Sequence, residues 1–190
     1  MPCKITFMKT NKNILIGILI IAVAVILRVV QPIHNFAPIV AVALFSGYLF
    51  KNFKQGLMVA LIASFIGDVV IAYINKYDLF HDTFVFVYGS YALIALLGSR
   101  LNSDKFSWSK LAVLGITASL LFFIVSNLGV FLMSDLYIKD INGFVNCFVM
   151  AIPFYKYSMI SDLIYIPLIF GIYQYTDSFI GSLSREYIHK

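Results

Sequence analysis

The chain has 190 residues and carries 14 Lys and Arg against 9 Asp and Glu, a formal net charge of +5. Hydrophobic residues make up 61% and charged residues only 12%, with a mean hydropathy of +0.92, so there is too little polar surface to face water. That balance excludes a disordered chain, a disulfide scaffold, a Rossmann-type enzyme and a nucleic-acid-binding module, and leaves a single-domain, all-α integral membrane protein.

A bilayer core about 30 Å thick needs roughly 17 to 25 apolar residues per helix. Six runs of this kind, bounded by charge or turn residues, are predicted over residues 14–30, 36–50, 56–74, 84–97, 111–133 and 158–175. The second and fourth are short, which suggests shielding by neighbours or tilt. The first follows Lys4, Lys9 and Lys12 and contains Ala22-Val23-Ala24, but it stays apolar to Val30. That continuation favours a retained anchor over a cleaved signal peptide.

Lys and Arg concentrate in cytoplasmic loops. With the N-terminus inside, Lys4, Lys9, Lys12, Lys51, Lys54, Arg100, Lys105, Lys110, Arg185 and Lys190 are cytoplasmic, and only Arg28, Lys76, Lys139 and Lys156 lie outside. Both termini are therefore expected in the cytoplasm of a multi-pass inner-membrane protein. The positive charge is topological, and nucleic acid is not an expected partner. Cys3 and Cys147 fall on opposite sides of the membrane in this arrangement, so no disulfide joins them.

Ionisable groups inside spans are costly, by roughly 2.5–3.5 kcal/mol at mid-bilayer, and are the default functional candidates. Counting along the predicted helices places Arg28, Asp68, Asn127 and Asp162 in the outer half of the membrane, with Asp162 soon after the start of the sixth span. The cytoplasmic half is nearly free of such groups. A relay for protons or ions would need polar steps through the full thickness, whereas a pocket open to the outer face needs them only there. His34 and Asn35 add to the same layer, as do Asp78, His81 and Asp82 in the third-to-fourth loop. The long connection 135–156, with Phe144, Phe148, Phe154 and Tyr155 beside Asn146 and Cys147, reads as an interfacial cap. Ser64 and Asp68 are four apart, as are Ser158 and Asp162; Tyr88 and Tyr91 are three apart, so each set shares a helix face.

These residues also have plainer readings. Arg28 and Asp68 neutralise each other as a structural pair; Asp162 sits near a helix start, where an anion is favoured; His34 and His81 are interfacial; Cys147 is a small apolar filler. The sequence has no phosphate-binding Gly-x-x-x-x-Gly-Lys-Ser/Thr loop, no His-Glu-x-x-His and no Cys-x-x-Cys, and none of its three His residues falls within a span. No catalytic residue, metal site or cofactor is expected, and the protein is read as a non-enzyme.

In the second span Ala37 lies four residues before Ala41, and Ala43 four before Gly47, a spacing that lets helix backbones approach closely, either inside the bundle or against a partner. Pro38 suits a first helical turn. The stretch Asn35-Phe36-Ala37-Pro38-Ile39-Val40-Ala41-Val42-Ala43-Leu44-Phe45-Ser46-Gly47, with the later Gly67-Asp68, resembles an uncharacterised family of small bacterial membrane proteins described as transport proteins, whose signature reads Asn-Phe-x-Pro-Ile/Val-x-Ala-x-Ala-Leu-Phe-x-Gly. The layout is also similar to the substrate-binding S components of energy-coupling-factor (ECF) vitamin transporters, six-helix bundles with cytoplasmic termini and an outward pocket capped by odd-numbered loops. The resemblance implies a partnership with a transmembrane coupling subunit and two ATPases, and a pocket drawn from His34 and Asn35, residues 77–82 and residues 142–155. S components carry their Ala-x-x-x-Ala docking motif on the first helix; here Ala37 and Ala41 lie on the second.

The resulting expectation is a bundle that takes a small, vitamin-like solute from the outer face, with Arg28, Asp68, Asn127 and Asp162 orienting it, Tyr88 and Tyr91 stacking on it and His34 and Asn35 in the closing loop. The rival readings are a structural scaffold similar to rod-shape-determining protein D and an ion-coupled carrier working alone.

Overall fold

The computed structural model describes residues 35–50, 53–76, 78–101 and 106–188, together with 22–30 and the isolated positions Leu15, Ile18 and Leu19; side chains are described as far as Ser178. His34 and Tyr77 lie outside the described residues. The described chain forms six helices: α1 over residues 22–30, then α2 (Ile39–Phe50), α3 (Phe53–Asn75), α4 (Phe84–Ser99), α5 (Trp108–Met133) and α6 (Ile141–Ile188).

The bundle is built around α2. Its sequence carries no charge, and every position from Ile39 to Leu49 is buried, as suits a helix that is apolar on all sides. Pro38 sits at its entrance, where the Pro38 carbonyl accepts from Val42 N at 2.8 Å. Of its two buried hydroxyls, Ser46 is satisfied locally by donating to the Ala43 carbonyl at 2.9 Å, and Tyr48 accepts from Gln174 Nε2 at 2.8 Å. α3, α4, α5 and α6 all pack on α2, and α3 on α4, α4 on α5 and α5 on α6 close around it. Ala24 of α1 joins Val42 and Ala63, with Ile169 of α6 against the same cluster. Toward the far end of α2 an aromatic core forms, with Phe45 edge-on to Phe170 at 5.1 Å and to Tyr173 at 5.3 Å.

The small-residue stripe of α2 is spent on this packing. Ala41 and Ala43 are buried in the core, and Ala37 packs against it. A Cβ at Gly47 would run into the carbonyl of Ala95, and one at Gly98 into the carbonyl of Leu44, so α2 and α4 touch backbone to backbone at a reciprocal glycine pair.

Three helices, Phe53–Asn75, Trp108–Met133 and Ile141–Ser178, are long and apolar enough to cross a membrane among the described residues. α2 and α4 are shorter apolar helices of 12 and 16 residues, about 18 and 24 Å at ~1.5 Å per residue. One expectation is corrected: residues 135–156 are not a capping connection. α6 starts at Ile141 and runs for 48 residues, passing through Pro153 and Pro167. Asp140 caps it, accepting from Gly143 N at 2.7 Å, and Lys139 donates to the carbonyls of Phe131 and Ser134, closing the end of α5. The aromatics expected in a cap instead line the seam with α5, Phe123 meeting Tyr155 at 4.5 Å and Phe131 meeting Phe144 at 5.3 Å.

Candidate functional site

The long α6 changes the depth of one candidate. It runs antiparallel to α5, so that Cys147 meets Asn127, Asp162 lies beside Ser119 and Gly171 reaches Trp108. Asp162 is therefore well inside its helix, level with the middle of α5 and not at a helix start. The other polar groups cluster nearer the end where α3 and α5 finish and α4 begins.

At that end α1, α3 and α4 converge on Asp68. Its Oδ1 is bound by the Arg28 guanidinium, and its Oδ2 accepts from the Tyr88 hydroxyl at 2.7 Å. Arg28 and Asp68 are 20% and 15% exposed, so the pair is largely shielded and its charges cancel. Gly67 makes the arrangement possible, since a Cβ there would come within 2.5 Å of Arg28 Cδ. Tyr88 stacks on Phe84 with ring centroids 4.0 Å apart and meets Tyr91 edge-on at 5.9 Å. Tyr91 is buried and stacks in turn on Phe122 of α5 at 5.5 Å, the planes 8° apart. Arg28, Asp68, Tyr88 and Tyr91 thus form one network, in which the carboxylate is fully occupied by the protein itself.

Phe122 is also a wall of the second feature, a cleft of about 230 Å³ between α5, α6 and the turn into α2. Asn35 stands at its rim with φ 63°, a left-handed conformation that asparagine tolerates better than most residues, and its carbonyl accepts from Ser158 Oγ at 3.2 Å. Asn127 donates to the Phe123 carbonyl at 2.7 Å, which fixes the amide and leaves its carbonyl oxygen as an acceptor. Ser126 bonds back to the Phe122 carbonyl at 2.7 Å, while Phe123, Phe154 and Tyr155 supply flat apolar walls. Every polar side chain lining this cleft is uncharged. Cys147 is buried behind it, its thiol on the Asn127 carbonyl at 3.5 Å, as a filler would be.

The third place is a crevice between α5 and α6 that holds Ser119 and Asp162, both 3% exposed. Neither the Ser119 hydroxyl nor Asp162 Oδ2 meets strict hydrogen-bond geometry with any group, although Ser119 lies close enough to act on the Asp162 carboxyl as a donor. The eight residues expected to bind solute are therefore not gathered around one cavity: four form the Asp68 network, Asn35 and Asn127 share the cleft, Asp162 is alone in the crevice and His34 lies outside the described residues. Asp78, His81 and Asp82 stay exposed in the α3–α4 connection, where His81 pairs with Thr83 at 2.9 Å. Among the described residues no three His, Cys, Asp or Glu side chains come together as metal ligands.

Sequence reasoning missed Ser119 and Ser126 as lining residues, while Tyr155 fell within the expected pocket segment and Ser158 was placed on the face of Asp162. A signal was present on α5, where Ser119 and Ser126 are seven apart, two helical turns, with Asn127 next to the second. Gly67 was noticed only as a motif neighbour of Asp68, because the side chain it makes room for comes from another helix.

Fold and site together define a helical bundle whose longest helices can cross a bilayer and whose interior holds polar groups in separate pockets. The chain belongs to a family of unknown function, DUF6580, whose model matches residues 8–183. No curated protein and no solved structure matches it.

Proposed function

We propose that this protein is a membrane component that binds a small, uncharged, hydrogen-bonding solute in the cleft between α5, α6 and the Asn35 turn, and serves its uptake from the outer face. The reading is supported above all by the composition of that cleft. Two amides, three hydroxyls and aromatic walls line it without a formal charge, which is the usual make-up of a small-molecule site. At about 230 Å³ the cleft is smaller than the ~300–1,000 Å³ of drug-sized pockets, so the solute is smaller than a typical vitamin. The Asp68 network is then a support: it fixes Tyr91, which fixes Phe122. The bias of Lys and Arg to the opposite end supports an outward-facing cleft, and any ATP-driven step would fall to a separate coupling subunit of the kind used by ECF transporters.

A thermal-shift screen of the purified chain in detergent against small amides, polyols and free nucleobases tests this. At least one class should raise the melting temperature in a saturable way, and Asn127→Leu, which inserts readily into a membrane helix, should weaken that ligand by about 1–2 kcal/mol, roughly tenfold. If no class stabilises the parent, or the stabilisation survives Asn127→Leu, the cleft is not the binding site.

A further inference from the structure

The crevice between α5 and α6 is separate from the cleft and has a different chemistry. Its volume is about 150 Å³ and its lining, including Trp108, Gly115, Ile166 and Pro167, is almost wholly apolar. Its mouth is flanked by large apolar residues that face outward, Ile116 58% exposed and Leu163 57% exposed, so it opens toward the hydrocarbon of a bilayer and not toward water. Yet two polar side chains that are nearly completely buried stand in its wall with only each other in reach and no well-formed hydrogen bond to any group, Ser119 Oγ and Asp162 Oδ2. With the carboxyl ionised, the groups left over are acceptors, apart from one rotatable hydroxyl proton.

A buried carboxyl takes up a proton, is paired with a cation, or costs free energy. This chain pairs its other intramembrane carboxylate, Asp68, with Arg28; Asp162 has no cation on it, and a neighbouring hydroxyl cannot compensate a charge. We propose that the crevice is a binding site for a lipophilic amine, whose ammonium lies on Asp162 and Ser119 and whose hydrocarbon body fills the apolar lining. An ammonium offers three donors and the missing positive charge. A bare metal ion is a poorer match, because hard cations take six or more oxygen ligands and the wall offers few. The volume suits the body: a dry apolar cavity of about 150 Å³ holds a molecule the size of benzene.

Trp108 is the only tryptophan of the chain and lies in the crevice wall, so its fluorescence reports occupancy directly. In phosphatidylcholine nanodiscs, hexylamine and benzylamine should each produce a saturable change in emission, whereas hexan-1-ol should produce only the linear drift of membrane partitioning. Asp162→Asn should weaken the amines by at least about tenfold. Ala112→Phe, at an exposed lining position, should do the same by occupying the crevice without touching the charge, and decides the matter should Asp162→Asn fail to fold. Asn127→Leu should leave the amine response unchanged, which keeps this site distinct from the cleft. A response to hexan-1-ol as saturable as that to the amines, no saturable response at all, or undiminished amine binding in the folded variants would overturn the proposal.

Discussion

Arg28 and Asp68 come from helices far apart in sequence, and each is tolerable inside the bundle only because the other is present. Removing one partner of a shielded pair leaves a bare charge, at a cost of about 3–5 kcal/mol, whereas removing both and keeping the volume costs far less. Arg28→Met and Asp68→Asn should therefore each lower stability sharply in detergent unfolding, while the double variant recovers most of the loss; additive losses would show that the two do not act as a pair. Gly67→Ala tests the same network without touching a charge. Its methyl would come within 2.5 Å of Arg28 Cδ, and overpacking of this kind costs about 1–3 kcal/mol, so a variant as stable as the parent would mean that Arg28 can lie elsewhere. The charged residues themselves were legible in the sequence because ionisable groups in apolar runs are rare. Their partners were legible only as alternatives, since pairing is a fact of distance.

Among the helices, α2 owes its central place to having no polar face, and its contact with α4 to glycines on both sides. Gly47→Ala or Gly98→Ala would press a methyl against a carbonyl of the facing helix; backbone does not yield as a side-chain tip does, so the two helices must separate. Either change should cost at least about 1–3 kcal/mol, read as a lower melting temperature. Gly89 has nothing within 4 Å of its missing Cβ, so Gly89→Ala should be neutral or stabilise by about 0.5–1 kcal/mol through helix propensity. Similar effects at all three positions would refute the close packing. The apolar runs of α2 to α5 could be read to within a few residues, because hydrophobicity alone bounds them. The start of α6 could not. Asn142, Gly143, Asn146 and Pro153 all argue locally for a loop, and they are overridden by the Asp140 cap and by the Phe residues that pack along α5.

For the molecule as a whole, α6 is about 70 Å long at ~1.5 Å per residue, more than twice a bilayer core. Past Gly171 it runs beyond the start of α5, at the end opposite the cleft. The outward-facing cleft proposed above requires that overhang to be cytoplasmic and the α3–α4 and α5–α6 connections to be external. In a chain lacking Cys3 and Cys147, a membrane-impermeant maleimide should label Asp82→Cys and Asp135→Cys in intact cells, and Arg100→Cys only after lysis. The reverse pattern would invert the protein in the membrane and put the cleft on the cytoplasmic side. The amino-acid sequence by itself determined the solvent this chain is made for, the apolar runs that become helices and the few costly groups placed among them, because these follow from composition and local order along the chain. Only the tertiary structure decided that Arg28 answers Asp68, that Asn35 and Asn127 share a cleft and that Asp162 faces a crevice with Ser119 beside it and no cation on it. Cavities and ion pairs are made between helices, and which side chains meet there depends on how 48 residues of α6 slide along α5.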